Sequence, residues 1–342
     1  MSPCMFVTLH ILTDQKVTAN HFDRLPRLTL LILPLEVGIF AARRSMRYVV
    51  FELLGEISAL ATALSWSIAV FAFKRLGGRL DAVALTFWKG VLATGALVPV
   101  ALLWGRLDQL HFDDVLWLSI SGTIGITIGD AAFFAALSRL GERDTLIVTE
   151  TAAPIFTAWL AWLFIQEVLS LYQWLGVVLV MGGVALVLYR PSHNHHQANR
   201  AMILAGVAFA LLAALCQAGG AVISRDVLLA PHVSSIDASL IRLAVGTLFI
   251  APVWYWRSAT IRGQLTGLLP GLTTATFFGT FLAMLLQMAS FALAPAAIVQ
   301  TLFASSIIFT MLIGLWHGQK SDLRAWLGAL LALVGVAVII LA

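Results

Sequence analysis

Four ionisable residues fall well inside long apolar runs of this 342-residue chain: Lys89, Asp130, Glu150 and Arg242. Glu56 lies nearer the end of such a run. If the runs cross a bilayer, each charge costs at least a few kcal/mol unless it is paired or wetted, which makes each a candidate for function. Counted along their runs, Lys89 and Asp130 each lie about eight residues, and Glu150 about six, from one common end; at 1.5 Å per residue this is roughly 9–12 Å from a single interface. One cation and two carboxylates at one depth can form a cluster. Two carboxylates sharing one lysine leave one of them able to take up a proton. Glu150 and Asp130, with Lys89, are therefore the proton-coupling candidates. The plainer readings are that Lys89 snorkels to the interface and that Asp130 bonds to a backbone break near Gly125 and Gly129. Glu150 is flanked by Thr149 and Thr151 just before Pro154, a polar patch on an interrupted backbone that favours a site.

Arg242 stands apart, toward the opposite face. It is suited to a solute carboxylate or phosphate, or to a structural pair with Glu56. Other polar or aromatic residues at span depth complete the candidate solute-binding set: Trp66, Trp88, Phe133, Thr151, Gln287 and Gln300. Trp66 is too far from either interface for an aromatic belt. Packing is the competing reading for each aromatic. Ser65 and Gln217 share this depth.

The elements that carry these residues follow from composition. The chain is 60% hydrophobic and 11% charged, with mean hydropathy +0.95. Soluble domains carry about twice that charge, so an ordinary cytosolic enzyme, a disordered chain and a nucleic-acid binder are excluded. The net charge of +4 is spread over short loops and makes no basic stripe. Cys4 and Cys216 cannot build a disulfide framework or a metal site alone. Ten stretches have the roughly 20 apolar residues of a spanning helix: about 53–73, 82–104, 115–137, 145–165, 171–189, 202–223, 236–256, 267–289, 296–316 and 325–342. The runs are continuous, which rules out a barrel.

The ten spans fall into two copies offset by about 150 residues. FWKGVLATGALVPV (87–100) matches LIRLAVGTLFIAPV (240–253), placing Lys89 on Arg242 and Pro99 on Pro252. GVVLVMGGVALVL (176–188) matches GALLALVGVAVII (328–340). Each copy holds five spans, and five is odd, so the second enters the membrane inverted, as transporters with exchangeable halves do. The acids lack counterparts: Thr280 falls opposite Asp130, and Thr301 near Glu150. Gly122, Gly125, Gly129, Gly182, Gly183 and Gly335 read as packing positions.

Four regions follow: an N-terminal extension (1–52), a first repeat (53–189), the linker RPSHNHHQANR (190–200) and a second repeat (201–342). The run 28–41 is short for a span and contains Pro34 and Glu36; translation starting at Met46 is the leading reading of the extension. His193, His195 and His196 read as a solvated loop. Lys and Arg mark the inner side. Connections after odd-numbered spans hold eleven (Lys74, Arg75, Arg79, Arg139, Arg143, Arg190, Arg200, Arg257, Arg262, Lys320, Arg324), and those after even-numbered spans hold Arg106 and Arg225. Odd connections and both termini are thus expected inside and outside respectively, with Arg43, Arg44 and Arg47 dissenting.

GDAAFFAAL (129–137), the basic connection after it, Ala153-Pro154, Glu167 and QWLGVVLVMGGVAL (173–186) resemble the drug/metabolite transporter superfamily, in its ten-helix branch with two EamA domains. The second copy departs from the pattern, with Gln319 where the first has Glu167. The resemblance covers all ten spans. It implies an all-α polytopic membrane protein of two inverted five-helix repeats in the inner (plasma) membrane, acting as a monomer or homodimer. The implied role is a small-solute transporter, commonly an exporter, that needs no cofactor, metal or nucleic acid. A coupling proton and membrane lipid are its other partners. An uncoupled facilitator is the alternative, then an intramembrane enzyme using Asp130 and Glu150 as a dyad, then a scaffold. The chain has no P-loop, no H-E-x-x-H and no nucleophile elbow.

Overall fold

Ten helices are long and apolar enough to cross a membrane in the computed structural model, which describes residues 53–73, 82–188, 200–257, 268–318 and 321–342. They are α1 (Leu53–Phe73), α2 (Val83–Trp104), α3 (Phe112–Leu140), α4 (Asp144–Ile165), α5 (Leu171–Leu188), α6 (Arg200–Leu228), α7 (Ser235–Trp256), α8 (Leu269–Leu293), α9 (Ala296–Trp316) and α10 (Leu323–Leu341). They match the ten apolar stretches within a few residues. The extension, the run 28–41, Met46 and the linker histidines lie outside the described residues. Large apolar side chains such as Leu102, Phe164 and Trp256 are mostly exposed, as hydrocarbon contact requires.

Local chemistry sets the helix ends. Gly141 closes α3 at φ 82°, a conformation that glycine adopts without a Cβ penalty. Gln166 ends α4 in the left-handed region, and the Glu167 amide donates back to Ala161 O at 3.2 Å. The Gln166 amide points at the same oxygen, so the Ala161 carbonyl takes both amides that follow the helix. Ser170 and Gln173 form a reciprocal capping box at the start of α5. Within the spans, buried hydroxyls bond one turn back: Thr62 to Ser58 O, Thr149 to Thr145 O and Thr157 to Ala153 O.

The repeats are interlocked. α1 belongs to the first copy in sequence but packs in the second. Ser65 donates to Phe278 O, Ser67 to Ser306 O, and Gly55 O accepts from Ser290. Its inverted counterpart, α6, packs on α3 and α4 of the first copy, where Ser121 donates to Gly220 O at 2.6 Å. The equivalent helices α2 and α7 pack together, as do α5 and α10. A π-helical turn interrupts the third helix of each copy, at Thr123–Ile128 in α3 and Phe277–Leu282 in α8. Such turns often mark functional positions.

The α5–α10 pair is a glycine zipper. Gly176 and Gly183 sit on one face of α5, and Gly328 and Gly335 on one face of α10. A Cβ on Gly335 would lie 2.7 Å from Val180 N, and one on Gly183 would run into Gly328 O and Ala332. Gly182 differs: its Cβ would meet only Leu331 Cδ2 at 3.6 Å. Gly183→Ala is therefore expected to lower stability by about 2 kcal/mol through overpacking. Gly182→Ala should be close to neutral. Thermal unfolding in detergent distinguishes the two; equal effects would refute the zipper.

Candidate functional site

Lys89 and Asp130 meet. Lys89 Nζ lies 3.8 Å from Asp130 Oδ2, joining α2 to the last third of α3. Thr86, one helical turn before Lys89, donates to the same oxygen at 3.5 Å. Asp130 begins the α-helical segment that follows the π turn of α3. Its partners are these two side chains, not a backbone break near Gly125 and Gly129. The pair is partly exposed, with side-chain exposures of 19% and 30%. Lys89 does not simply reach for the interface: its ammonium is held by the carboxylate. Thr86 went unnoticed in the sequence, although its i, i+3 spacing to Lys89 puts both on one face.

Glu150 stands outside this pair. It is half-buried on α4 and makes no ion pair among the described residues. The two carboxylates therefore do not share the lysine. α4 packs mainly against α6, α9 and α5 and also meets the Asp130-bearing part of α3, while α2 packs against α7 and α8; among the described residues no ion pair joins Glu150 to Lys89. Equal depth does not imply adjacency. Thr151 turns its hydroxyl back to Ile147 O, which leaves Glu150 as the uncommitted polar group of that patch.

Arg242 is the mirror of Lys89. It lies seven residues from the start of α7 and is 6% exposed. Its Nη1 contacts Met288 Sδ at 3.5 Å, and its Nε has no hydrogen-bond partner. The expected alternative, a pair with Glu56, does not form among the described residues. The guanidinium sits in a hollow made by glycines. A Cβ on Gly125 would come 3.3 Å from Arg242 Nη2, and one on Gly220 would come 3.4 Å from it. Gly122 lies against the Arg242 backbone. Gly125 belongs to the π turn of α3, so that turn and α6 together make the room for this cation.

The other candidates are dispersed. Gln300 is 3% exposed, and neither its Oε1 nor the buried Thr280 Oγ1 has a hydrogen-bond partner among the described residues. Gln287 is half-buried on α8. Trp66 lies between Phe73 and Phe303, 6.3 Å from each ring, so it joins α1 to α9. Trp88 meets Phe87 and Trp254 edge-on. Phe133 meets Phe134. A groove of about 360 Å³ between α2 and α7 is lined by Phe87, Leu248, Ala251, Pro252, Trp254, Tyr255 and Trp256. It is apolar and contains none of the charged candidates.

A polar latch was missed in the sequence. Arg225 Nε donates to Glu167 Oε1 at 2.7 Å, and its Nη1 donates to Phe291 O. Glu167 Oε2 accepts from the Ala296 amide at 3.0 Å. The end of α4, the end of α6 and the α8–α9 connection are thereby tied at one face. Glu167 was visible as part of a motif, but its partner is 58 residues away in sequence and no local spacing points to it.

Known proteins place this architecture. The family model described as EamA-like transporter family matches twice, at residues 53–189 and 204–341. A protein of Synechocystis sp. described as an uncharacterized transporter is 26% identical over 138 residues. The match covers 39% of this chain and 41% of that relative, less than half the length of either. A solved crystal structure superposes with a TM-score of 0.71, covering 83% of this chain and 95% of its own. At 15% identity that likeness concerns the fold alone.

Proposed function

Because the chain belongs to the EamA-like transporter family and is a multi-pass membrane transporter, we propose that it is a secondary active exporter of a small solute, driven by a proton gradient across the inner (plasma) membrane. The observation that carries this reading is the pairing pattern of the intramembrane charges: Lys89 with Asp130, and Glu150 and Arg242 without ionic partners among the described residues. A carrier needs a group that gains and loses a proton and a group that holds the solute. Glu150 and the Lys89–Asp130 pair fill the first role. An incoming proton on Asp130 releases Lys89, and this exchange of partners is the differential contact that biases one conformation over the other.

Arg242 fills the second role. A buried guanidinium without an acid is matched by a solute that brings a carboxylate or phosphate. Gln300, Gln287, Thr151 and the aromatics Trp66, Trp88 and Phe133 are the further solute contacts of this reading, spread over α1, α2, α3, α4, α8 and α9. The inverted halves supply the two conformations, rocking about a midplane site. Purified protein in sealed vesicles, offered a mixture of carboxylates, phosphates, amino acids and sugars, tests this reading by mass spectrometry of the lumen. Accumulation of an anionic solute that follows an imposed pH gradient and collapses with a protonophore is expected. Accumulation indifferent to the gradient would refute coupling.

A further inference from the structure

At the same face as the Glu167–Arg225 latch, three side chains unused by the transport reading converge. His111 ends the α2–α3 connection, Asp114 lies in the first turn of α3, and His232 lies in the α6–α7 connection. His232 Nε2 is 2.8 Å from Asp114 Oδ2, and His111 Nδ1 is 3.7 Å from the same oxygen. One ligating atom of each lies within 4.8 Å of the others. The two imidazole centroids are 4.5 Å apart.

We propose that His111, Asp114 and His232 form a binding site for a divalent transition metal of the zinc class, joining the first repeat to the second. Adjacent ligands of a tetrahedral zinc ion, each at about 2.0–2.1 Å from the metal, stand about 3.4 Å from one another. The observed 2.8 and 3.7 Å bracket that spacing. Small side-chain rotations suffice to admit the ion. Two imidazoles and one carboxylate suit zinc, cobalt or nickel; calcium and magnesium prefer six or more oxygens. On binding, the metal takes the place of the hydrogen between His232 Nε2 and Asp114 Oδ2, while the His111 amide still donates to Oδ2. Binding moves the His232 ring hydrogen to Nδ1, so the imidazole stays neutral and no charge is stranded. A water molecule completes the fourth position.

The two connections are already held in register. The Arg106 amide donates to Asp237 Oδ2 at 2.8 Å, and Ser234 donates to the same oxygen at 2.6 Å. Leu110 and Val233, the chain neighbours of His111 and His232, share one apolar cluster. The ligands therefore sit on anchored backbone, which lowers the ordering cost of binding. On the transport reading above, a bound metal favours the conformation in which the repeats are joined at this face.

The test is binding of zinc(II) and cobalt(II) to the purified full chain in detergent, by equilibrium dialysis and by the visible absorption of cobalt. Three variants are compared: His232→Gln, His111→Gln, and the linker triple His193→Gln, His195→Gln, His196→Gln. The expected result is one metal per chain, at least tenfold weaker in His232→Gln and in His111→Gln, and unchanged in the linker triple. Zinc should also raise the thermal unfolding midpoint of the wild type and not of His232→Gln. His111 is exposed, so its variant keeps the test decisive should His232→Gln fold poorly. No binding in the wild type, wild-type affinity in both single variants, or loss of binding in the linker triple overturns the proposal.

Discussion

Glu150→Gln is expected to eliminate solute accumulation driven by a pH gradient while leaving solute-for-solute exchange intact. Glutamine keeps the size and polarity of the side chain and removes its ability to carry a proton. The variant should be at least as stable as the wild type, because Glu150 has no ionic partner to lose among the described residues. Asp130→Asn should behave differently. It also breaks coupling, but it strands Lys89 in a partly buried position. Breaking a buried pair costs about 3–5 kcal/mol, and the 19–30% exposure here reduces that to roughly half by solvent screening. The paired measurements are flux with and without a pH gradient, and the unfolding midpoint. If both variants still concentrate solute under a pH gradient, neither carboxylate carries the proton.

The second large effect concerns Arg242. Arg242→Met replaces a guanidinium that is 6% exposed and has no ionic partner among the described residues with an apolar chain of similar length. Replacing buried charge with well-packed apolar side chains is often stabilising by 1–4 kcal/mol, so the unfolding midpoint should rise. Transport of an anionic solute should fall sharply. Loss of one charge-assisted bidentate contact of about 2–3 kcal/mol weakens binding roughly 30- to 150-fold. Arg242→Lys should rescue little, since an ammonium cannot reproduce the planar fork. A solute concentration series on vesicles gives the half-saturation, and calorimetry gives the midpoint. A variant that loses stability and keeps its affinity would make Arg242 a structural residue.

The ten spans were legible because hydrocarbon leaves a helix no choice but to satisfy its own backbone and present apolar side chains. The Lys89–Asp130 pair was legible for the same reason: charges in such segments are rare, and depth alone narrows their partners. Depth could not separate Glu150 from that pair, because it says nothing about which helices are neighbours. The interlocked repeats decide this, and they rest on contacts between residues more than 200 apart, such as Ser65 with Phe278. The Glu167–Arg225 latch and the His111–Asp114–His232 cluster were hidden likewise, since each joins connections that hydropathy treats as unrelated. The π turn of α3 leaves only its glycines as a trace in the sequence, and by spacing alone these read as packing positions.

The exchange of α1 and α6 between the repeats sets an order of assembly at the ribosome. Ser65 finds its acceptor 213 residues later, and Ser67, which also bonds to Ala63 O within α1, reaches its second acceptor 239 residues later. At roughly 5–20 residues per second, that interval is about 10–50 s of synthesis. Throughout it α1 is in the bilayer without its seat, and a chain released after α5 has no α8 or α9 to receive it. The first repeat is therefore not a domain that matures and waits for a second. Both copies must be inserted before either is finished, and whatever meets the Ser65 hydroxyl in the interval, lipid headgroup, water or insertion machinery, is a participant in making this protein.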